Sequence, residues 1–272
     1  MQIVTSPDEL KVDRARTPRG AAYHAVGEGE PLVLIHGVGM RLEAWAPQIA
    51  AFSESHWVVA VDMPGHGGSA PLKTGADLTD FVAWFADVLD DLGLDRVNVA
   101  GHSMGALIAG GAAATLGERI ARVALLNGVY LRGEEAAAAV RQRAALIEAG
   151  AAIDLDGPLR RWFGEGSEHR DYYRQTRHWL EGVDPNGYAT AYSAFANGDA
   201  TFAGAWPGIR CPALFLTGRD DQNSTPLMAE AMAEAAPRGR AVVIEGRHMV
   251  NLTAPGRVNA IMREWLEEGT EQ

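Results

Sequence analysis

The sequence predicts an α/β fold: a mostly parallel β-sheet flanked by helices, with a helical lid inserted after the sixth strand. Three features of the 272-residue chain carry that expectation. Short apolar runs of the kind buried on both faces of a parallel sheet recur along it, as in Pro31-Leu32-Val33-Leu34-Ile35 and Trp57-Val58-Val59-Ala60-Val61. Stretches with apolar residues at helical spacing alternate with them, the pattern of strand–helix–strand crossovers. The alternation breaks over residues 131–205, where helix-like stretches rich in Arg and aromatic residues replace it, and then resumes. The expected units are a core of residues 1–130 and 206–272 and a lid of residues 131–205.

Taken in order, the first thirty residues are polar, with turns at Thr17-Pro18-Arg19-Gly20 and Gly27-Glu28-Gly29-Glu30 and short strands beside the first turn. The run over 31–35 ends in His36-Gly37-Val38-Gly39, and a helix is expected over residues 42–52. The run over 57–61 stops at Asp62-Met63-Pro64-Gly65-His66-Gly67-Gly68-Ser69, too rich in Gly and Pro for regular structure. Leu78, Phe81, Val82, Phe85, Val88, Leu89 and Leu92 then recur at helical spacing, and Gly93 ends that helix. Val97-Asn98-Val99-Ala100 and Val123-Ala124-Leu125-Leu126 are the next strands. Inside the interruption, Asp184-Pro185 reads as an N-cap followed by proline at the first helical position. The helix it opens puts Tyr188, Tyr192 and Phe195 on one face, for packing or for lining a pocket. Ala213-Leu214-Phe215-Leu216 and Ala241-Val242-Val243-Ile244 are the last strands, separated by a helix over 226–236 capped by Thr225 or Ser224. Pro255 opens a terminal helix with Val258, Ile261, Met262, Trp265 and Leu266 on its apolar face.

Composition narrows the function. Apolar residues make up 47% of the chain, ample for a buried core. A net charge of −11 argues against nucleic acid as a partner, which calls for a basic patch. With one cysteine, Cys211, an intramolecular disulfide and a cysteine metal cluster are both excluded. Met1-Gln2-Ile3-Val4-Thr5-Ser6-Pro7-Asp8 lacks the basic-then-apolar pattern of a signal peptide, and no apolar run approaches the roughly 20 residues that cross a bilayer. The expectation is a soluble, cytoplasmic protein acting on a small molecule, with no nucleic-acid or membrane partner. His and carboxylate residues are scattered without ligand spacing, and no Gly-rich loop has the dinucleotide-binding form. No metal and no organic cofactor are indicated.

The chemistry concentrates at Gly101-His102-Ser103-Met104-Gly105, between an apolar run and the small-residue stretch Ala106-Leu107-Ile108-Ala109. A G-x-S-x-G pentapeptide between strand and helix is a nucleophile elbow, with the serine exposed at the tip of the strand. The flanking glycines remove Cβ atoms that would clash in so sharp a turn. A serine hydroxyl is a weak nucleophile and needs a base, for which His248 is suited, and the base needs a carboxylate to hold its other nitrogen. Ser103, an acid at 220–221 and His248 follow one another in that order, each just past the end of a predicted strand. Asp220 and Asp221 both compete for the acid. The amide after the serine, at Met104, and that of Val38 in the first Gly-rich loop are the expected oxyanion donors. His36, His66 and His102 read as structural or locally bonded.

Five motifs together resemble the α/β-hydrolase superfamily: Leu34-Ile35-His36-Gly37, the loop over 62–69, the pentapeptide, Gly218-Arg219-Asp220-Asp221 and Gly246-Arg247-His248-Met249. The resemblance spans nearly the whole chain and implies an α/β-hydrolase fold with a Ser103–Asp221–His248 triad. It favours Asp221 because the family's acid usually lies three residues after the glycine that ends its strand. Some members carry the acid after the preceding strand, where Leu126-Asn127-Gly128 offers no carboxylate. Arg247 departs from the small residue many relatives place before the histidine, with consequences for the mouth of the site. The chain looks like the small lidded carboxylesterases, enol-lactonases and ring-cleavage hydrolases.

That resemblance implies a serine hydrolase cleaving a small carboxylic ester or lactone through an acyl-enzyme. Hydrolysis of a carbon–carbon bond in a ring-cleavage product is the alternative, and a slow-turnover small-molecule receptor of the same fold is a third reading. The lid carries Arg132, Arg141, Arg143, Arg160, Arg161, Arg170, Arg174 and Arg177 in an acidic chain. Most are solvated or paired with nearby acids, leaving one or two to bind a substrate carboxylate.

Overall fold

The computed structural model describes residues 12–166 and 168–269. The stretch Met1–Asp8 that was read for a targeting signal lies outside them. In chain order the elements are β1 (Ala15–Arg16), β2 (Ala22–Val26), β3 (Glu30–Ile35), α1 (Ala46–Phe52), β4 (His56–Val61), α2 (Leu78–Asp91), β5 (Val97–His102), α3 (Met104–Thr115) and β6 (Ile120–Leu126). Four helices follow: α4 (Glu134–Glu148), α5 (Asp156–Phe163), α6 (Arg170–Glu181) and α7 (Pro185–Gly198). The chain ends with β7 (Ala213–Gly218), α8 (Pro226–Ala235), β8 (Gly239–Ile244), α9 (Val250–Thr253) and α10 (Pro255–Glu267).

The eight strands form one sheet in the order β1-β2-β4-β3-β5-β6-β7-β8. β1–β2 and β2–β4 pair antiparallel, and every later pair is parallel. The mostly parallel sheet expected from the alternation is therefore present. Successive side chains of a strand go to opposite faces. Val33 and Ile35 accordingly join Val59, Val61, Val99 and Phe81 of α2 on one side. Leu32 and Leu34 join Val58, Ala60, Phe52 of α1 and Trp265 of α10 on the other. Both faces are covered, which is why these strands are continuous apolar runs rather than alternating ones.

Local chemistry explains the element ends. Asp77 caps α2 by accepting from the Thr79 and Asp80 amides while the Asp80 carboxylate accepts from the Asp77 amide. The helix expected over 42–52 opens instead as a 3-10 turn over Leu42–Trp45. Pro47 has no N–H to offer the carbonyl four residues back, so the regular helix starts only at Ala46. The short α9 was not anticipated.

Strand order reverses around β3: the chain passes to β4 on one side, then returns to β5 on the other. Ile35 lies opposite Gly101 in that pair, so the loops leaving β3 and β5 emerge side by side at the crevice where open α/β sheets bind ligands. The helices α4–α7, between β6 and β7, are seated there. Leu159, Phe163, Trp179, Leu180 and Tyr188 bury themselves against Met40 and Met249 of the core loops and Leu252 of α9. At the start of α7 the backbones meet directly, since a Cβ on Gly65 would lie 2.4 Å from the Gly187 Cα. Among the described residues no helix is long and apolar enough to cross a membrane.

Candidate active site

Ser103 is the single residue between β5 and α3. Its backbone sits at φ 55°, ψ −114°, a conformation that side-chain-bearing residues rarely adopt. The glycines on either side have a measurable reason. A Cβ on Gly101 would lie 2.0 Å from the Gly105 carbonyl oxygen, and one on Gly105 would lie 2.1 Å from that of Ile35. The turn is thus held tightly against the end of β3.

His248 follows β8, and its Nδ1 lies 2.7 Å from Asp221 Oδ2. A carboxylate only accepts, so the ring N–H at Nδ1 donates, which leaves Nε2 as the ring nitrogen not engaged by Asp221. Asp221 is only 3% exposed and fully engaged. Its Oδ1 accepts from the Asn223 and Ser224 amides at 2.8 and 3.2 Å, and its Oδ2 also accepts from Asn127 Nδ2 at 2.8 Å. Burial alone would raise this carboxyl, but His248, Asn127 and Asn223 outweigh it and hold the group below the usual carboxylate range. Asp220 is exposed, and no ion pair joins its side chain to His248 among the described residues. Ser103 and His248 line one cavity, and no hydrogen bond joins the serine hydroxyl to the ring among the described residues.

Val38 and Met104 lie on the loops leaving β3 and β5. Neither of their N–H groups enters a backbone hydrogen bond among the described residues. The neighbouring Gly39 N–H donates to His66 Nε2 at 2.9 Å, and the Met63 N–H donates to His36 Nε2 at 2.9 Å. Each of these rings gives its Nδ1–H to a backbone carbonyl, of Gly37 for His36 and of Pro64 for His66. Both are therefore neutral, and burial, followed by the nearby His66, drives the His36 ring down to about 3. Asp62 ties the same loops from below, accepting from Arg14 Nε, Gly68 N and Leu42 N at 2.8–2.9 Å. The histidines expected to be structural thus clamp the loop that carries Val38. His102 reaches further than expected: its Nε2–H donates to the carbonyl of His248 at 2.8 Å.

The cavity has a volume of about 330 Å³. Tyr188, Tyr192 and Phe195 all line it, so the aromatic stripe of α7 serves the pocket as well as the packing. Arg132, Arg143 and Arg161 line it too. Trp162 of α5 stacks on His248, with ring centroids 5.7 Å apart and planes 27° from parallel. Sequence reasoning missed Trp162 and Asn127. Asn127 had one available signal, its place after β6 where some relatives carry the acid; Trp162 had none. Arg247, noted as a departure, gives its carbonyl to Asn127 and lays its side chain against Gly164 of the inserted segment. No group of three or more His, Cys, Asp or Glu among the described residues is placed to hold a metal ion.

Comparison with known proteins identifies the family. Residues 32–261 match the model of the alpha/beta hydrolase family. An Acinetobacter baylyi protein named (E)-2-((N-methylformamido)methylene)succinate hydrolase is 52% identical over 92% of this chain and 95% of its own. The 3-oxoadipate enol-lactonase 2 of the same organism is 28% identical, over 87% of this chain and 89% of its own. Among solved structures, the enol-lactonase of Burkholderia xenovorans superposes with a TM-score of 0.83 at 28% identity, covering 94% of this chain and 100% of that one. On that ground the chain belongs to the α/β-hydrolase family, and it is an enzyme of the hydrolase class.

Proposed function

We propose that the chain is a serine hydrolase that cleaves a small carboxylic ester or lactone through an acyl-enzyme, with residues 131–205 as the lid over the site. The observation that carries this reading is one cavity shared by a strained elbow serine and a histidine whose far nitrogen is held at 2.7 Å by a buried carboxylate. On this reading Ser103 Oγ attacks the acyl carbon and its proton passes to His248 Nε2, through a hydrogen bond that forms as substrate enters. The Val38 and Met104 amides take the oxyanion, helped by the N-terminus of α3. His248 returns the proton to the leaving group, water repeats the cycle on the acyl-enzyme, and Asp221 stabilises the imidazolium throughout.

A second, narrower reading has the 52% relative in its favour. That protein is named for a substituted succinate bearing an N-methylformamido group, and an acyl carbon bound to nitrogen is open to the same attack. Carbon–carbon bond cleavage and slow-turnover reception use the same residues. The test is labelling with a fluorophosphonate probe followed by peptide mapping, with turnover of p-nitrophenyl esters, enol-lactones, N-formyl enamides and vinylogous diketones. Labelling at Ser103 and a loss of several orders of magnitude in kcat for Ser103→Ala are expected. Near-normal turnover in that variant overturns the serine assignment, and saturable ligand binding without turnover of any probe turns the reading toward a receptor.

A further inference from the structure

The charge around the cavity is lopsided. Three guanidinium groups line it and no Asp or Glu does, in a chain whose net charge is −11. Arg132 is already compensated: its Nη1 lies 3.2 Å from Asp199 Oδ1, and its plane rests 4.4 Å from the centre of the Phe195 ring. That side chain is 3% exposed and its Nη2 is buried without a hydrogen-bond partner among the described residues. Arg143 and Arg161, from α4 and α5, enter no ion pair within 4 Å among the described residues. Of the outward-facing arginines of the same segment, Arg141, Arg160 and Arg170 are unpaired among the described residues but exposed to solvent, and two are paired. Arg174 pairs with Asp171, and Arg177 pairs with Asp156 and Glu181. Arg143 and Arg161 are thus the unpaired arginines of this segment that are partly buried and face the cavity, Arg143 with a side-chain hydrogen bond to Tyr192. Burial, then the charge of Arg143, presses the Arg161 guanidinium toward its neutral form. Two half-buried like charges in one cavity are unfavourable until an anion joins them.

We propose that Arg143 and Arg161 form the anion-binding subsite of this cavity and select a small dicarboxylate substrate. The inference rests on the reading above for the cavity being where substrate reacts. Two unpaired cations call for two negative charges, and a guanidinium fork matches a carboxylate with two parallel hydrogen bonds. A cavity near 330 Å³ is at the small end for ligand sites, which limits the spacer between the carboxylates. The reacting acyl group then faces Ser103 while the carboxylates are held under α4 and α5.

Succinate is the probe, first as a ligand and then within an ester. Calorimetric titration of the Ser103→Ala protein reads the subsite without turnover. Succinate is expected to bind at least ~10-fold more tightly than butyrate, and Arg143→Gln or Arg161→Gln in that background each to weaken succinate by ~10-fold or more. Arg143→Lys and Arg161→Lys, which keep the charge and lose the fork, should fall between. Arg160→Gln removes the same charge from the exposed side of α5 and should leave succinate affinity within about twofold. With serine restored, the kcat/KM ratio of p-nitrophenyl hydrogen succinate to p-nitrophenyl butyrate should drop by ~10-fold in each glutamine variant. Absent succinate binding, equal binding of succinate and butyrate, or an equal loss in Arg160→Gln overturns the proposal. Succinate binding beside full turnover in Ser103→Ala would sink the serine reading and leave the subsite standing; an inert Ser103→Ala that ignores succinate would do the reverse.

Discussion

Acidification is expected to weaken this fold through its histidines before its carboxylates. His36 and His102 are fully buried, and both rings are lowered to about 3. Burial is the main cause, and a neighbouring histidine, His66 for the first and His248 for the second, adds to it. In the unfolded chain each ring returns to about 6.5. Between these values the unfolded chain binds protons that the native state refuses. The stabilisation is therefore complete above pH 6.5 and is lost progressively as pH falls toward 3. Each ring changes stability by about 1.4 kcal/mol per pH unit, so the pair removes about 4 kcal/mol by pH 5. His66, also lowered by burial, adds to the same slope. A domain of this kind has only about 5–15 kcal/mol in total, so the effect is large. Urea unfolding followed by tryptophan fluorescence at several pH values between about 7.5 and 5 measures it directly. His102→Gln removes one titrating ring and should flatten the slope by about one proton, whatever it does to stability at neutral pH. A stability profile that stays level from pH 7 to pH 5 would refute the reasoning, because the rings would then be taking up protons inside the native fold.

Two substitutions test other parts of the site. Asp221→Asn is expected to lower kcat by ~10³- to 10⁴-fold, since an amide cannot hold the same ring tautomer, while Asp220→Asn stays within about twofold in the same ester assay. Equal losses in both would remove the distinction between the two acids. Gly105→Ala drives a methyl group to 2.1 Å from the Ile35 carbonyl and 2.6 Å from that of His36, both backbone atoms with little room to yield. A loss of more than about 3 kcal/mol, or failure to fold, is expected in a thermal melt, and a variant melting near wild type would contradict the close packing of the elbow.

The parts of this protein legible in its sequence are those written in local spacing. Strands buried on both faces must be continuous apolar runs, so β3, β4, β5, β6 and β7 announce themselves, and Asp77 and Asp184-Pro185 mark helix starts by short-range capping. The 3-10 opening before α1 was less legible, because Pro47 alters the hydrogen-bond pattern without altering the apolar spacing. The same limit applied to His102, read as locally bonded: its partner carbonyl is 146 residues away, at a distance no pattern encodes.

By itself the sequence determined the alternation that builds a parallel sheet, the elbow between β5 and α3, and the chain order of serine, acid and histidine. These follow from covalent neighbourhood, where a side chain's spacing settles which face or turn it occupies. Only the tertiary structure decided which acid meets His248 and which is left in solvent, that Asn127 supports the chosen carboxylate from 94 residues away, and that Trp162 covers the ring. It also separated the inward arginines, Arg132, Arg143 and Arg161, from those paired at the surface. The contacts of Asp221 depend on how the loops after β6, β7 and β8 converge, and those of Trp162 and the arginines on how α4–α7 pack over the sheet. A side chain's partner across that interface is set by packing and by the desolvation of its charge, neither of which a linear spacing records.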